Sequence, residues 1–271
     1  MHKILITGNN GFIGSYLQRY LVRKHETTGI SRATGHDITD MDSLMTIEAS
    51  VDTLIHTAAL ASNDFEDAFR VNALGTLNLC KFAKEKGIKH LILLSSIFAL
   101  EHEENGYFNS YGRTKKFSEE IARAYCEENG IRLSILRLSQ VYDDARLAQP
   151  GQAMLYYFID TIRSEGKITL FGKRNPLRNY IHIDYLSQVV EDVVAHQDGG
   201  TWNVTEVRNH TITEIAYMIF EKLQKRPSIT YLEQKPDIPS VYIPKEALYR
   251  NEHIISIPLK EGIERIINHD R

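Results

Sequence analysis

The first half of the chain alternates short apolar runs with longer stretches whose apolar positions recur every three or four residues. The runs Ile4 to Thr7, Thr27 to Ser31, Thr53 to His56, His90 to Ser95 and Leu133 to Leu138 predict strands. Phe12 to Arg23, Phe65 to Lys86 and Tyr111 to Asn129 carry the helical period. Strands and helices that alternate in this way predict an α/β fold, a Rossmann-type doubly wound parallel sheet, whose ligands bind beyond the carboxyl ends of the strands. After residue 149 the pattern loosens. All seven prolines (Pro150, Pro176, Pro227, Pro236, Pro239, Pro244 and Pro258) fall there. A further strand, Thr201 to Val204, and a helix, Thr213 to Gln224, are still legible, the helix introduced by Thr211 or Thr213 with Glu214 close behind. The expected division is a dinucleotide-binding domain over 1–149, with a returning segment near 178–206, and a smaller C-terminal substrate lobe mainly within 150–271.

Composition narrows this picture. A net charge of -3 over 271 residues gives no electrostatic footprint for nucleic acid. No apolar run approaches a membrane span, and the N-terminus enters a strand directly, without a signal peptide. The two cysteines, Cys80 and Cys126, lie in helical patterns without metal-ligand spacing, so they read as reduced, packed thiols of a cytoplasmic protein with no metal site.

The chemistry begins at the first strand. Gly8, Gly11 and Gly14 recur at every third position between Ile4–Thr7 and the first helical pattern. Glycine permits a tight turn at Gly8, approach of a pyrophosphate at Gly11 and close helix–sheet packing at Gly14. The free amides and dipole of the helix start favour phosphate, so Gly8 to Gly14, with Asn10, Phe12 and Ile13, is the expected cofactor grip. The second strand ends Gly29-Ile30-Ser31-Arg32, without the carboxylate that usually meets the ribose hydroxyls of NAD. Ser31 and Arg32 suit the extra phosphate of NADP, with NAD as the alternative. Asp37 and Ile38 follow as a carboxylate and an apolar neighbour for the adenine.

Tyr111 and Lys115 stand four apart at the start of a helical pattern and share its face. A free tyrosine, with a pKa near ~10, is a weak acid–base partner at neutral pH, and a lysine one turn along favours its phenolate. Tyr20/Lys24 and Tyr231/Lys235 have the same spacing, but only Tyr111 follows a strand that ends in hydroxyls, Leu93-Leu94-Ser95-Ser96. Ser96 is chosen as the catalytic hydroxyl and Ser95 as a strand-end hydrogen bonder.

These segments, taken in order, resemble the extended short-chain dehydrogenase/reductases of the nucleotide-sugar epimerase/dehydratase family. The resemblance runs through Thr7-Gly8 to Gly14, Asp52 to Ala59, Val71 to Asn78, Ser95-Ser96, Tyr111 to Lys115 with Glu119 behind, Leu136-Arg137 to Val141-Tyr142, and Arg178 to Asp184. It implies Tyr111 as the acid–base, Lys115 as its modulator and a cofactor-ribose ligand, and Ser96 as the carbonyl polariser. It places Ala58 and Ala59 beneath the cofactor and Asn72 near the active site. Gln140, Tyr142 and Arg178 match positions that touch the nucleotide sugar, Arg178 as a diphosphate partner or, alternatively, in an ion pair with Asp184. His56 and His182 read as structural. Three departures limit the transfer. Ile97-Phe98 replaces the dehydratases' Asp-Glu pair, which argues against water elimination. Ala99-Leu100-Glu101 replaces the usual Val-Tyr-Gly, and Gln140 replaces an asparagine. The expected function is an NADP-dependent reductase of a nucleotide-linked 4-keto sugar. The alternatives are a 4-epimerase with tightly bound NAD and, in another class, a catalytically silent dinucleotide sensor. The resemblance also implies a homodimer formed through the Phe65–Lys86 and Tyr111–Asn129 patterns.

Overall fold

The five apolar runs of the first half do form strands, and they lie side by side. The computed structural model describes residues 1–270 apart from 49, 63 and 245. Strands β1 (Lys3–Thr7), β2 (Glu26–Ile30), β3 (Thr53–His56), β4 (His90–Ser96) and β5 (Arg132–Leu138) join a later strand, Gly200–Val204, in one six-stranded parallel sheet. The centres of β1, β3, β4 and β5 are buried on both faces, which explains their continuous Ile/Leu runs, whereas the edge strand β2 leaves Glu26 and Thr28 exposed. Helices α1 (Phe12–Leu21), α2 (Met41–Met45), α3 (Phe65–Phe69), α4 (Gly75–Glu85) and α5 (Ser110–Glu128) connect them.

The second half adds β6 (Gln140–Tyr142), α6 (Ala153–Glu165), β7 (Ile168–Phe171), β8 (Leu177–Arg178), β9 (Tyr180–His182), α7 (Ile183–His196) and β10 (Gly200–Val204). It ends with β11 (His210–Thr211), α8 (Ile212–Lys222), β12 (Ile229–Leu232) and α9 (Leu259–His269). The sheet order is β10-β5-β4-β3-β1-β2. One apolar core lies between the sheet, α1 and α7, and a second beneath α4 and α5. A third gathers α6, α8, α9, Tyr142 and Tyr180 in the C-terminal part. No helix among the described residues is long and apolar enough to cross a membrane.

The expected helix Phe65 to Lys86 is interrupted. Between α3 and α4, residues Arg70–Leu74 form a π-helical turn. The Asn72 carbonyl there accepts from Thr76 Oγ1 at 2.5 Å and from Ser118 Oγ of α5 at 2.7 Å, so two hydroxyls occupy it as the helix widens. At α8 the structure selects Thr211 as the cap: its Oγ1 accepts from the Glu214 amide, and Glu214 Oε2 accepts from the Thr211 amide at 2.8 Å.

Candidate active site

The glycine turn is closed by backbone contacts. Gly8 has φ +71°, and an added Cβ would lie 2.8 Å from the Ala58 backbone, so loop β1–α1 rests directly on the turn after β3. At Gly14 a Cβ would lie 2.3 Å from the Gly8 carbonyl oxygen. Helix α1 starts at Gly11 without a side-chain cap and without an acidic residue in its first turn, leaving its amides and dipole to an anion. Phe12 and Ile13 are half-buried against the core of the sheet. This cradle, too tight for a side chain at Gly8 or Gly14, fits a dinucleotide pyrophosphate.

At the end of β2, Ser31 Oγ donates to Asn10 Oδ1 at 2.8 Å, linking the two loops expected to hold the cofactor. Arg32 opens a single exposed turn (Arg32–Thr34) and has no carboxylate partner among the described residues. Asp37 Oδ1 accepts from the Thr39 amide and hydroxyl, whereas Ile38 is buried with its Cδ1 over Gly75. Ala59 is exposed beside Ala58. Asn72, expected near the active site among the cofactor residues, is 1% exposed and its side chain is committed within the protein: Oδ1 accepts from the Leu60 amide, and Nδ2 donates to the Leu60 carbonyl and to Thr114 Oγ1. It ties the loop after β3 to α5.

Ser95 and Ser96 end β4, and Tyr111 and Lys115 lie in the first turns of α5 beside them. Asn109 caps α5, and Gly112 is pressed on the Phe98 carbonyl, where a Cβ would come within 2.3 Å. Ser96 Oγ accepts from the Phe98 amide at 3.1 Å, which leaves its proton to donate. Ser95 Oγ donates to Glu119 at 2.5 Å, in the strand-end role expected of it. The Lys115 ammonium donates to the Leu94 carbonyl at 2.6 Å. Burial lowers Lys115 to about 8, with Glu119 acting the other way. Burial raises the Tyr111 phenol to about 12, so the expected lowering by Lys115 is not present in this arrangement. Behind them His56 bridges Thr7 and Thr76, and burial pushes it down to about 3, a neutral structural histidine.

The substrate positions divide. Gln140 Nε2 donates to Gln152, while its buried Oε1 has no partner among the described residues. Tyr142 does not face a cleft: it is fully buried, and α9 closes on it so tightly that a Cβ on Gly262 would lie 1.8 Å from its hydroxyl. Its ring belongs to the C-terminal core. Arg178 is 3% exposed and makes no ion pair with Asp184, which lies instead near His182 and Arg265. Its guanidinium donates to the Leu177 and Pro239 carbonyls and, at 3.0 Å, to the Tyr107 hydroxyl. His182 caps α7, as a structural histidine should.

Three groups escaped the sequence reading. Tyr107 stacks on Phe98 at 4.7 Å and so joins Arg178 to the turn after Ser96. Asn105, buried, donates to the carbonyls of Ile97, Phe98 and Leu100 and folds the loop back on itself. His102 stacks on Tyr242 at 3.8 Å. Only the i+4 spacing of Glu119 from Lys115 left a signal in the sequence for the network below the site. A cavity of about 890 Å³ is bordered by Glu103, Glu104 and Gly106 on one side and by the 237–244 segment on the other, but neither Ser96, Tyr111 nor Lys115 lines it.

A parallel doubly wound sheet with a glycine cradle after β1 and a Ser/Tyr/Lys group at the end of β4 defines a dinucleotide-dependent enzyme. The NAD dependent epimerase/dehydratase family matches residues 4–205, and the chain belongs to that family. Its members modify nucleotide sugars and work with NAD or NADP. UDP-glucuronic acid decarboxylase 1 of Danio rerio is 24% identical over 98% of this chain and 72% of its own. UDP-glucose 4-epimerase of Thermus thermophilus, solved with NAD, superposes with a TM-score of 0.75 at 23% identity, covering 98% of both chains. dTDP-4-dehydrorhamnose reductase of Bacillus anthracis, solved with NADP, gives 0.76 at 19% identity, again over 98% of both. These likenesses establish the fold, and the three relatives carry three different reactions.

Proposed function

We propose that the protein is an NADP-dependent reductase acting on the keto group of a nucleotide-linked 4-keto sugar. The observation that carries this reading is the end of β2, where Ser31 and the exposed Arg32, without a carboxylate partner among the described residues, stand in place of an acidic residue. A guanidinium fork there complements a ribose phosphate, and a carboxylate would repel it. The Gly8–Gly14 turn would hold the pyrophosphate, Asp37 and Ile38 the adenine edge, Ala58 and Ala59 the underside, and Lys115 the nicotinamide ribose. When bound, the nicotinamide supplies the hydride. Ser96 donates its free proton to the substrate carbonyl oxygen and polarises it. Tyr111, a protonated phenol at neutral pH, then delivers its proton to that oxygen as the carbon is reduced. Gln140 and Arg178 are the polar groups available to the sugar and the diphosphate.

The test is NADPH fluorescence with UDP-, dTDP- and GDP-linked 4-keto sugars, with product analysis. Stoichiometric loss of NADPH and formation of the hydroxy sugar are expected. Conversion of a nucleotide sugar to its 4-epimer with no net cofactor consumption would replace this reading with the epimerase and reduce Arg32 to a surface residue.

The reading includes a homodimer. On α3 and α5 the rings of Phe65, Phe69 and Phe117 pack together at 5.8 to 6.5 Å, yet Phe65 and Phe117 remain 45% and 43% exposed. A contiguous aromatic patch on these helices suits a second copy of the chain. Phe117→Arg is expected to weaken self-association by about tenfold to a hundredfold, as loss of an aromatic anchor does. Sedimentation velocity across a concentration series reads this directly, and an unchanged distribution would place the contact elsewhere.

A further inference from the structure

Tyr111, Lys115, Glu119 and Arg123 follow one another at intervals of four along α5 and so share a face. Two of them are bound to consecutive residues of β4: Lys115 to the Leu94 carbonyl and Glu119 to the Ser95 hydroxyl. Glu119 is 1% exposed, and the described groups around it are all donors. Arg137 of β5 approaches through Nε at 2.9 and 3.1 Å and through Nη2 at 2.5 Å. Arg123 Nη2 lies at 2.9 Å, its other arm on the exposed Glu120. Burial opposes the charge of Glu119, but the bonds from Arg137, Ser95 and Arg123 outweigh it and hold the carboxyl below the usual range.

We propose that Glu119 is a positioning residue of this site: its buried carboxylate keeps Lys115 charged on the Leu94 carbonyl and fixes the Ser95–Ser96 strand end against α5. The groups that act on Lys115 are few. From α5 it is Glu119, from β4 the Leu94 carbonyl, and from β3 His56, which is neutral. Among the described residues, Glu119 is the negative charge that acts to keep the Lys115 proton, against burial that pulls it down to about 8. Replacing it with a neutral residue leaves Lys115, Arg123 and Arg137 as neighbouring cations, and the lysine is the one that can lose a proton.

The assignment to catalysis rests on Tyr111 and Lys115 acting as proposed above, so the test separates the two. In protein carrying ¹³C-labelled lysine, the Lys115 Cε resonance is identified by its loss in Lys115→Ala and titrated with pH. In Glu119→Gln the midpoint is expected to fall by about one unit or more, while Glu119→Asp, which keeps the charge, stays near the wild type. Arg123→Gln, at a position whose side chain is 34% exposed, leaves Glu119 less neutralised and moves the midpoint the other way. It also serves if Glu119→Gln does not fold. A Lys115 midpoint that stays put in the folded variants overturns the proposal. The alkaline limb of turnover is expected to move with the midpoint, since Lys115 works only when charged. A shifted midpoint with an unmoved limb would sustain the hold of Glu119 on Lys115 and remove Lys115 from the reaction.

Discussion

Tyr111→Phe is expected to lower kcat by about 10²- to 10⁴-fold, the range that a positioned acid–base group contributes, while NADPH affinity stays within about twofold. The argument starts from the position of the ring. Tyr111 lies in the first turn of α5, half-buried, beside the strand that ends in Ser96. Phenylalanine fills the same volume, so packing and the Gly112–Phe98 contact survive. What disappears is the proton. Ser96 cannot replace it, because a serine that hands over its proton becomes an alkoxide, with no base among its hydrogen-bond partners to restore it. Burial raises Tyr111 to about 12, so the phenol is protonated throughout the neutral range, as an acid in the reducing direction must be. In the proposed reading Lys115 holds the nicotinamide ribose as a charged donor, and its charged fraction falls as pH rises through about 8. Turnover in the reducing direction should therefore decline above that pH. Steady-state kinetics with NADPH fluorescence titration and a melting curve separate loss of chemistry from loss of fold. Normal turnover by the variant would remove Tyr111 from the mechanism.

Much of this site could be read before any coordinates because its parts are local. A strand buried on both faces is a continuous apolar run, so β1, β3, β4 and β5 are legible, as are the glycine turn and the Tyr111–Lys115 spacing, whereas the half-exposed edge strand β2 shows only as a Thr/Ile stretch between helices. Other features depend on residues far apart in sequence. Whether the Tyr142 ring faces the substrate or the core is decided by Gly262 on α9. The interruption of the Phe65–Lys86 pattern is decided by the Ser118 hydroxyl from α5. Arg178 could be named as a cation in need of a partner, but the Pro239 carbonyl and the Tyr107 phenol hold it only once the chain has folded back twice. The strands β6, β8, β9 and β11 are two or three residues long, too short to leave a period in the sequence.

Arg178 also shows how the C-terminal segment reaches the reacting centre. Its guanidinium touches Tyr107, Tyr107 stacks on Phe98, and the Phe98 amide bonds Ser96 Oγ. In the proposed reading, with Arg178 at the diphosphate and Ser96 at the carbonyl, a substrate that draws on Arg178 would act through Tyr107 and Phe98 on the loop that holds the Ser96 hydroxyl.

The second large effect is expected at the other end of the site. Gly14→Ala should destabilise the protein and weaken NADP binding by about tenfold or more, although alanine is the better helix former by about 1 kcal/mol. The new methyl would lie 2.3 Å from the Gly8 carbonyl oxygen, 2.8 Å from its carbon and 2.8 Å from Thr57 Oγ1. Two of these are backbone atoms, so no rotamer change relieves the clash. Gly8 cannot retreat either, because its own positive φ and the Ala58 backbone, so close that even a Cβ on Gly8 would lie 2.8 Å from it, hold it from the other side. Helix α1 must then lift from β1, which overpacking data put at about 1–3 kcal/mol, more than the propensity gain. For a chain of this size each kcal/mol lowers the melting temperature by roughly 2–4 °C. The same movement withdraws the helix amides from the pyrophosphate, so the loss of affinity should exceed what global instability explains at temperatures where the variant is folded. Calorimetric titration with NADP, paired with a melting curve, checks both halves. A variant that melts at or above the wild-type temperature and binds NADP equally well would show that the contact between the helix start and the glycine turn is not required.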